Sequence, residues 1–432
     1  MPSTVAVIGC GYVGLTTGAC LAHLGHDVTC ADIDPDRIAM LEQGELPIVE
    51  PGLSNLVADG VDRGKLRFVV GAANAVPEAQ FVYLSVPTPM GRDGSADLSF
   101  IEAAAREIGP ALCPEAVVIN KSTVPVGSTL VVERAIGRED VFLVSNPEFL
   151  REGSAVHDFL HPDRIVIGAS DQSAAIRVAT LYLGVAAPMI VTNPASAETI
   201  KYASNAFLAT KISFVNALSA VCEAVGADVN DVVLGLGYDR RIGAEFLRPG
   251  PGYGGSCLPK DTRALIHIAE DAGYDFDLLR GVVAVNEEQF DRVADKAADL
   301  VGGSLEGRRV AVWGLTFKAR TDDLRDSPSL AVVNRLRARG ATVKAFDPTV
   351  VPPLEGRTAA VLDGIEIADD PYSACDEADV LLVLTEWDEF RWLDFDKVGE
   401  MLVEPRVVDA RNLLDKDALR RRGFAYRAIG RA

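Results

Sequence analysis

One thiol in this chain is delivered from a glycine-rich loop to the apparent start of a helix. The loop runs Pro249-Gly250-Pro251-Gly252-Tyr253-Gly254-Gly255-Ser256-Cys257, and Leu258-Pro259-Lys260-Asp261 follows it as a helical first turn. Glycines allow backbone to approach a ligand closely, and a helix N-terminus stabilises a thiolate through its positive end and free N–H groups, so Cys257 reads as a nucleophile. Two further pairs have chemical spacing. Lys201 and Asn205 lie four apart in a helical stretch, project from one face and can point at one atom, with Glu198 on or near that face. Their neighbours Ala203, Ala206, Phe207 and Leu208 are mostly apolar, which suits groups inserted into a packed environment. Glu148 and Glu152 are also four apart and flank Phe149 and Leu150 just after a strand, where acids at a helix start are the structural alternative. Asp261, four after Cys257, is placed to hold Lys201 or a water.

These groups need elements to position them. Strand-like runs at Val5 to Ile8, Val28 to Asp32, Phe68 to Val70, Phe81 to Val86, Val117 to Lys121 and Phe142 to Ser145 alternate with helical patterns such as Tyr12 to Leu24. Such alternation predicts a doubly wound, mainly parallel α/β sheet. Gly9-x-Gly11-x-x-Gly14 follows the first strand and opens a helix, the context in which glycines admit a pyrophosphate to a helix N-terminus. Asp32 closes the next strand, where a carboxylate accepts from ribose hydroxyls. Together they make NAD the leading cofactor. Asp34 and Asp36 add negative charge against a 2′-phosphate, and Arg37 is the nearby contrary sign. Ser85-Val86-Pro87-Thr88 and Ser122-Thr123 end two strands at the ligand-binding edge, with turn capping the alternative role for their hydroxyls. A helix without internal proline or glycine is expected from Ala195 to Ala224, about 45 Å long. A second helix follows near Phe276 to Leu300. Beyond Gly302-Gly303-Ser304 the strands Arg309 to Trp313, Val343 to Phe346, Val380 to Leu384 and Val407 to Asp409 predict a second α/β domain. The fold class is thus two Rossmann-like doubly wound domains joined by a long central helix, divided 1–194, 195–303 and 304–432.

The 432 residues, 48% of them hydrophobic, suffice for two or three cores. A net charge of -20 argues against nucleic-acid or anionic-membrane partners, and an anionic substrate needs local basic residues. The start Met1-Pro2-Ser3 leads straight into a strand without a basic leader, no stretch reads as apolar enough to span a bilayer, and a cytoplasmic protein is expected. The seven cysteines form no metal-type CxxC pair and read as reduced thiols.

The cysteine loop resembles that of the UDP-glucose and GDP-mannose dehydrogenases. Similar blocks stand in family order at Gly9 to Gly14, Pro47-Ile48-Val49-Glu50-Pro51-Gly52-Leu53, Ser122 to Gly127, Asn146 to Gly153 and Ile200 to Lys211. The stretch Ala197 to Leu265 is closer to the UDP-glucose branch. The resemblance implies that Cys257 attacks a sugar aldehyde, that Lys201 and Asn205 stabilise the reacting oxygen, that Glu148 serves acid/base chemistry, and that Thr123 and Asp261 belong to the same centre. It implies NAD contacts at Gly9, Gly11, Tyr12, Val13, Gly14, Asp32, Arg37, Thr88, Thr123, Glu152 and Arg325. For UDP-glucose it implies Glu148, Phe149, Leu150, Glu152, Lys201, Asn205, Phe246, Arg248, Tyr253, Gly254, Phe317, Lys318 and Arg411. Arg241 would come from a neighbouring subunit, since the family's long helix forms much of a dimer interface and a homodimer or higher homo-oligomer follows. Gly314-Leu315-Thr316-Phe317-Lys318 replaces a dinucleotide turn in the second α/β domain and favours a nucleotide-sugar there.

Two positions depart from the family pattern. Ala217 follows Asn216 where an acid is common, and Val86 to Met90 ends differently. Neither removes a proposed catalytic group. The rival readings are an enzyme for GDP-mannose or a UDP-N-acetylhexosamine, a non-catalytic nucleotide-sugar sensor, and a one-step hydroxyacid-type dehydrogenase. The last two have no use for the thiol.

Overall fold

The computed structural model describes residues 2–91 and 96–431. Two compact units are present, one of Met1–Ser204 with Arg263–Ala272 and the other of Asn205–Thr262 with Gly273–Ala432. The first contains an eight-stranded sheet of β1 (Thr4–Ile8), β2 (Asp27–Asp32), β3 (Leu66–Val70), β4 (Phe81–Leu84), β5 (Val117–Asn120), β6 (Phe142–Ser145), β7 (Ile165–Ala169) and β8 (Met189–Thr192). Its order is β3-β2-β1-β4-β5-β6-β7-β8, parallel apart from the β6–β7 pair. Runs such as Phe81–Leu84 and Val117–Asn120 are buried throughout because helices cover both faces. The order reverses at β1, which opens a crevice between the ends of β1 and β4 where α/β sheets bind ligands.

The second unit holds β9 (Arg309–Trp313), β10 (Thr342–Phe346), β11 (Glu366–Ile367), β12 (Val380–Val383), β13 (Arg406–Asp409) and β14 (Ala425–Ala428). They lie in the order β11-β10-β9-β12-β13-β14, all parallel. The turn after β9 is held by Asp347, which follows β10: its Oδ2 accepts from Leu315 N at 2.8 Å, Thr316 N at 3.1 Å and Thr316 Oγ1 at 3.1 Å. Trp387 Nε1 reaches the same oxygen at 3.3 Å, and Thr349 N and Oγ1 fill Oδ1. None of the seven cysteines, all among the described residues, forms a disulfide.

The predicted long helix spans Pro194–Val225, with proline at its start where a missing N–H is harmless. Contrary to expectation it is long and apolar enough, by length and composition, to cross a membrane. The reason is local: between Lys201 and Glu223 the one charged residue is Lys211. A helix of a folded protein passes the same test, and several polar groups here have protein partners, such as Ser213 Oγ donating to Val282 O at 2.8 Å. Glu198 joins no reactive face. It is 3% exposed and caps the helix Ser128–Ile136, whose own N-cap Gly127 offers no side chain. Gly127 N donates to Glu198 Oε2 at 2.7 Å, and Thr129 Oγ1 and N donate to Oε1 at 2.7 and 3.2 Å.

Removing this carboxylate leaves buried donors without acceptors. Glu198→Ala is expected to lower the unfolding free energy by about 1–3 kcal/mol in urea titrations. An unchanged midpoint and slope would show that the cap contributes nothing.

Candidate active site

At the cofactor end, the helix Tyr12–His23 begins with Gly11 as N-cap and no side-chain cap, leaving its first N–H groups available. The three glycines differ in role. Gly9 has φ 99°, and a Cβ there would lie 2.6 Å from Ser85 O. A Cβ on Gly14 would lie 1.8 Å from Gly9 O, whereas one on Gly11 would meet open space. Gly9 and Gly14 therefore close the turn, and Gly11 leaves room above it. Tyr12 and Val13 form the first helical turn. Asp32 is 7% exposed; its Oδ2 accepts from Cys10 N at 2.8 Å and Arg37 Nη1 at 3.1 Å, and its Oδ1 from Asp34 N at 3.0 Å. The ends of β4 and β5 are tied together, since Thr88 Oγ1 donates to Thr123 O at 2.8 Å and Ser122 Oγ to Val86 O at 2.7 Å.

Beyond β6, Glu148 is 5% exposed and Lys201 3% exposed, and Lys201 Nζ donates to Glu148 Oε1 at 2.7 Å. Leu150 N donates to the other carboxylate oxygen at 2.6 Å. Burial opposes ionisation of Glu148, but the Lys201 ammonium and its hydrogen bond, the Leu150 N–H and the charge of Lys121 together hold the carboxyl below its ordinary range. Phe149 lies under two cations, with the Arg164 guanidinium 3.6 Å and Lys201 Nζ 5.5 Å from its ring centre. Glu152 lies in the turn that follows. The adjacent Gly153 N donates to Tyr12 Oη at 2.9 Å and to Glu50 Oε2 at 2.7 Å, while Ala155 N donates to Glu50 Oε1 at 2.8 Å. Tyr12 donates its hydroxyl proton to Glu50, and burial followed by that carboxylate raises the Tyr12 pKa.

In the second unit Cys257 directly precedes the helix Leu258–Asp271 and is partly exposed, with Ser256 Oγ 3.5 Å from its sulfur. Asp261 N donates to Cys257 O at 2.9 Å. Asp261 itself is fully buried, accepting from Asn205 Nδ2 at 2.6 Å and from Lys260 Nζ at 2.7 Å. The loop glycines nearest the thiol are also required by packing within the protein. A Cβ on Gly252 would lie 2.7 Å from Phe290, one on Gly254 2.1 Å from Asp326 O, and one on Gly255 2.9 Å from the Phe317 ring. Three amides hold the loop backbone. Asn216 Oδ1 accepts from Gly250 N at 2.9 Å, Gln289 Nε2 donates to Gly250 O at 2.7 Å, and Asn286 pairs with Tyr253 N and O at 2.8 and 3.1 Å.

Phe317, Lys318 and Arg411 also come together. Lys318 Nζ lies 5.2 Å from the Phe317 ring centre, and Arg411 donates to Phe317 O at 3.1 Å and Leu384 O at 2.7 Å. Phe246 has φ 62°, an uncommon conformation for a bulky residue. Arg248 is exposed, and Arg241, 89% exposed, forks onto Asp239 at 3.0 and 2.6 Å. Arg325 forks onto Asp323 at 2.8 and 2.7 Å.

Residues 3–185, 195–288 and 311–416 match, in turn, the NAD binding, central and UDP binding domains of the UDP-glucose/GDP-mannose dehydrogenase family. The chain belongs to that family. It is 48% identical to a UDP-glucose 6-dehydrogenase of Rhizobium meliloti, covering 99% of each chain. Likeness to the UDP-glucose 6-dehydrogenase TuaD of Bacillus subtilis is 45%, over 99% of this chain and 93% of that one. Among solved structures, a UDP-glucose dehydrogenase from Pyrobaculum islandicum superposes with a TM-score of 0.92 at 38% identity, covering 100% of this chain and 98% of that one. A UDP-D-ManNAc dehydrogenase from Pyrococcus horikoshii gives 0.87 at 26%, covering 99% of each.

NAD fits the first unit of this family member on its own geometry: free N–H groups at a helix start, space over Gly11, and a carboxylate at the end of β2. Sequence reasoning missed Glu50, Asn286, Gln289 and Lys121. Glu50 stood within a family block, and Lys121 is a lone cation closing an apolar strand. The two amides gave no local signal.

The Glu148–Lys201 pair is open to a double-variant test. Lys201→Met leaves a buried carboxylate unpaired and is expected to cost about 3–5 kcal/mol of stability, much of it recovered in Lys201→Met/Glu148→Gln. Because the Glu148 pKa is lowered on folding, its ionisation stabilises the fold at neutral pH. That contribution fades as pH falls through the lowered value. Additive losses in chemical denaturation would show that the two side chains do not act together.

Proposed function

We propose that the chain is an NAD-dependent UDP-glucose 6-dehydrogenase that carries its C6 intermediate on Cys257. The observation that supports this most is the thiol at a helix start in a chain 48% identical, end to end, to a protein of that name. The primary alcohol, two NAD+ and water would give the carboxylate, two NADH and three protons. NAD+, when bound, accepts a hydride in each oxidation.

In this reading the chain's own groups divide the remaining work. Lys201 and Asn205 stabilise negative charge on the C6 oxygen. The Cys257 thiolate forms a C–S bond to the aldehyde carbon, giving a thiohemiacetal that becomes a thioester at the second oxidation. Water then adds to the acyl carbon, the C–S bond breaks, and the thiolate leaves with its electron pair. Glu148 takes a proton from that water. Paired with Lys201 it is a weak base, and it becomes stronger as the ammonium turns toward the substrate oxygen. Asp261 orients Asn205 and Lys260, and Thr123 belongs to the same centre. The remaining NAD and UDP-glucose contacts are those implied by the resemblance, with Arg241 supplied by a second copy. Residues 1–194 bind NAD, 195–303 carry the thiol and the dimer helix, and 304–432 bind the UDP moiety, in a cytoplasmic enzyme.

A homo-oligomer goes with this reading. Phe207, Phe214 and Val221 recur every seven residues along the helix Pro194–Val225 and are 65%, 57% and 54% exposed, an apolar stripe suited to a second copy. Phe214→Asp should then release monomers in sedimentation velocity. A monomeric unmodified protein at micromolar concentration would remove the proposal.

The decisive measurement on the reaction is product mass with total NADH at exhaustion of limiting substrate. UDP-glucose should yield two NADH and one UDP-glucuronate with little free aldehyde, and GDP-mannose or UDP-N-acetylhexosamines should turn over poorly. Cys257→Ala should bind both ligands without completing the conversion. One NADH with an aldehyde product, or full acid formation by Cys257→Ala, would sink the covalent mechanism.

A further inference from the structure

Lys121, the residue after β5, is 4% exposed. Its ammonium donates to Asn146 Oδ1 at 3.2 Å and Tyr182 Oη at 3.4 Å, and lies 5.9 and 6.0 Å from the ring centres of Phe159 and Tyr182. Among the described residues no carboxylate comes within ion-pair distance of it. A buried cation is costly unless a counter-charge lies within reach of its field. Asn146 is fixed in turn, donating to Val166 O at 2.7 Å and accepting from Tyr182 Oη at 2.5 Å, and Glu148 stands two residues along. Lys121 and Glu148 line one cavity of about 140 Å³.

We propose that Lys121 is a positioning residue for the hydrolytic half of the reaction, fixing the Asn146–Glu148 segment and keeping Glu148 a carboxylate while Lys201 serves the substrate oxygen. The inference rests on Glu148 activating water. Lys201 alone cannot both neutralise Glu148 and follow the changing charge on the substrate. A second cation held by neutral partners supplies a constant field, and that field already contributes to the lowered pKa of Glu148. The other groups facing this segment are Lys201, Arg164 over Phe149, and Tyr182 backed by Tyr83. Across the cavity stand His157, His161 and Asp163, together with Asp158 paired to Arg151. They are common to every variant below and set a shared background.

Steady-state rates and intact-protein mass are to be measured across pH for the unmodified enzyme, Lys121→Met, Lys121→Arg and Glu148→Gln, each checked for folding by circular dichroism. Losing the cation makes Glu148 easier to protonate, so Lys121→Met should lose turnover increasingly as pH falls. The expected deficit is about tenfold larger near pH 6 than near pH 9, with acyl-enzyme accumulating on Cys257 at the acid end. Lys121→Arg should restore the unmodified profile. A loss in Lys121→Met that is equal at all pH values, or a profile unchanged from the unmodified enzyme, overturns the proposal. If Lys121→Met does not fold, Lys121→Gln against Lys121→Arg decides by the same criterion. Normal acyl-enzyme hydrolysis by Glu148→Gln would instead overturn the role of Glu148 itself.

Discussion

A carboxylate taken out of water has to be neutralised where it stands, and the segment after β6 depends on that requirement at Glu148. Burial works against its charge, so the charge persists because the Lys201 ammonium and the Leu150 N–H meet it directly and the charge of Lys121 adds to them. This single contact fixes the turn after β6 to the long helix. It places Phe149 beneath Lys201 and Arg164, and it orients the segment whose next residues meet Glu50 and Tyr12 at the cofactor end. Pairing also sets reactivity, since whatever draws Lys201 away makes Glu148 more basic.

The thiol in the second unit is held by a different device. Backbone alone cannot satisfy the loop before Cys257, because it belongs to no sheet and is buried from Pro249 to Gly255. Asn216, Asn286 and Gln289 supply the missing donors and acceptors from helices, and glycines remove the side chains that would collide with Phe290, Asp326 and Phe317. Cys257 itself emerges partly exposed at a helix start, between a rigid approach and a stabilising dipole.

Much of this framework was legible in the sequence because its signals are local. The alternation of buried strands with helices gave β1 to β6 within a few residues, and Gly9 to Gly14 with Asp32 gave the turn that a dinucleotide requires. The strands β7, β8, β11 and β14 were not singled out. Met189 to Val191 in β8 are exposed, and β11 has only two residues, so neither shows a clean buried run. Long-range partners were also hidden. Glu198 resembled a neighbour of Lys201 on one helix face, yet its acceptors serve a helix some seventy residues away in sequence. Asp261 was expected to hold Lys201 or a water, and the partners its carboxylate receives within its own unit, Asn205 and Lys260, were not foreseen. Spacing shows which side chains share a face, but only packing decides what meets them.

Both sheets repeat one arrangement, an aspartate at or just past the end of the second strand gripping the turn after the first, and the lone pairs on that aspartate differ between them. A carboxylate offers about four acceptor directions. Asp32 receives three donors, one of them a half-exposed arginine able to swing aside. Asp347 receives six, from Leu315, Thr316, Thr349 and Trp387. The first can still take a hydroxyl pair from a ribose, while the second is saturated by its own chain. Grafting a Gly-x-Gly-x-x-Gly turn onto β9 would therefore not create a second dinucleotide site. The unsatisfied acceptor, more than the glycines, distinguishes two otherwise similar nucleotide folds.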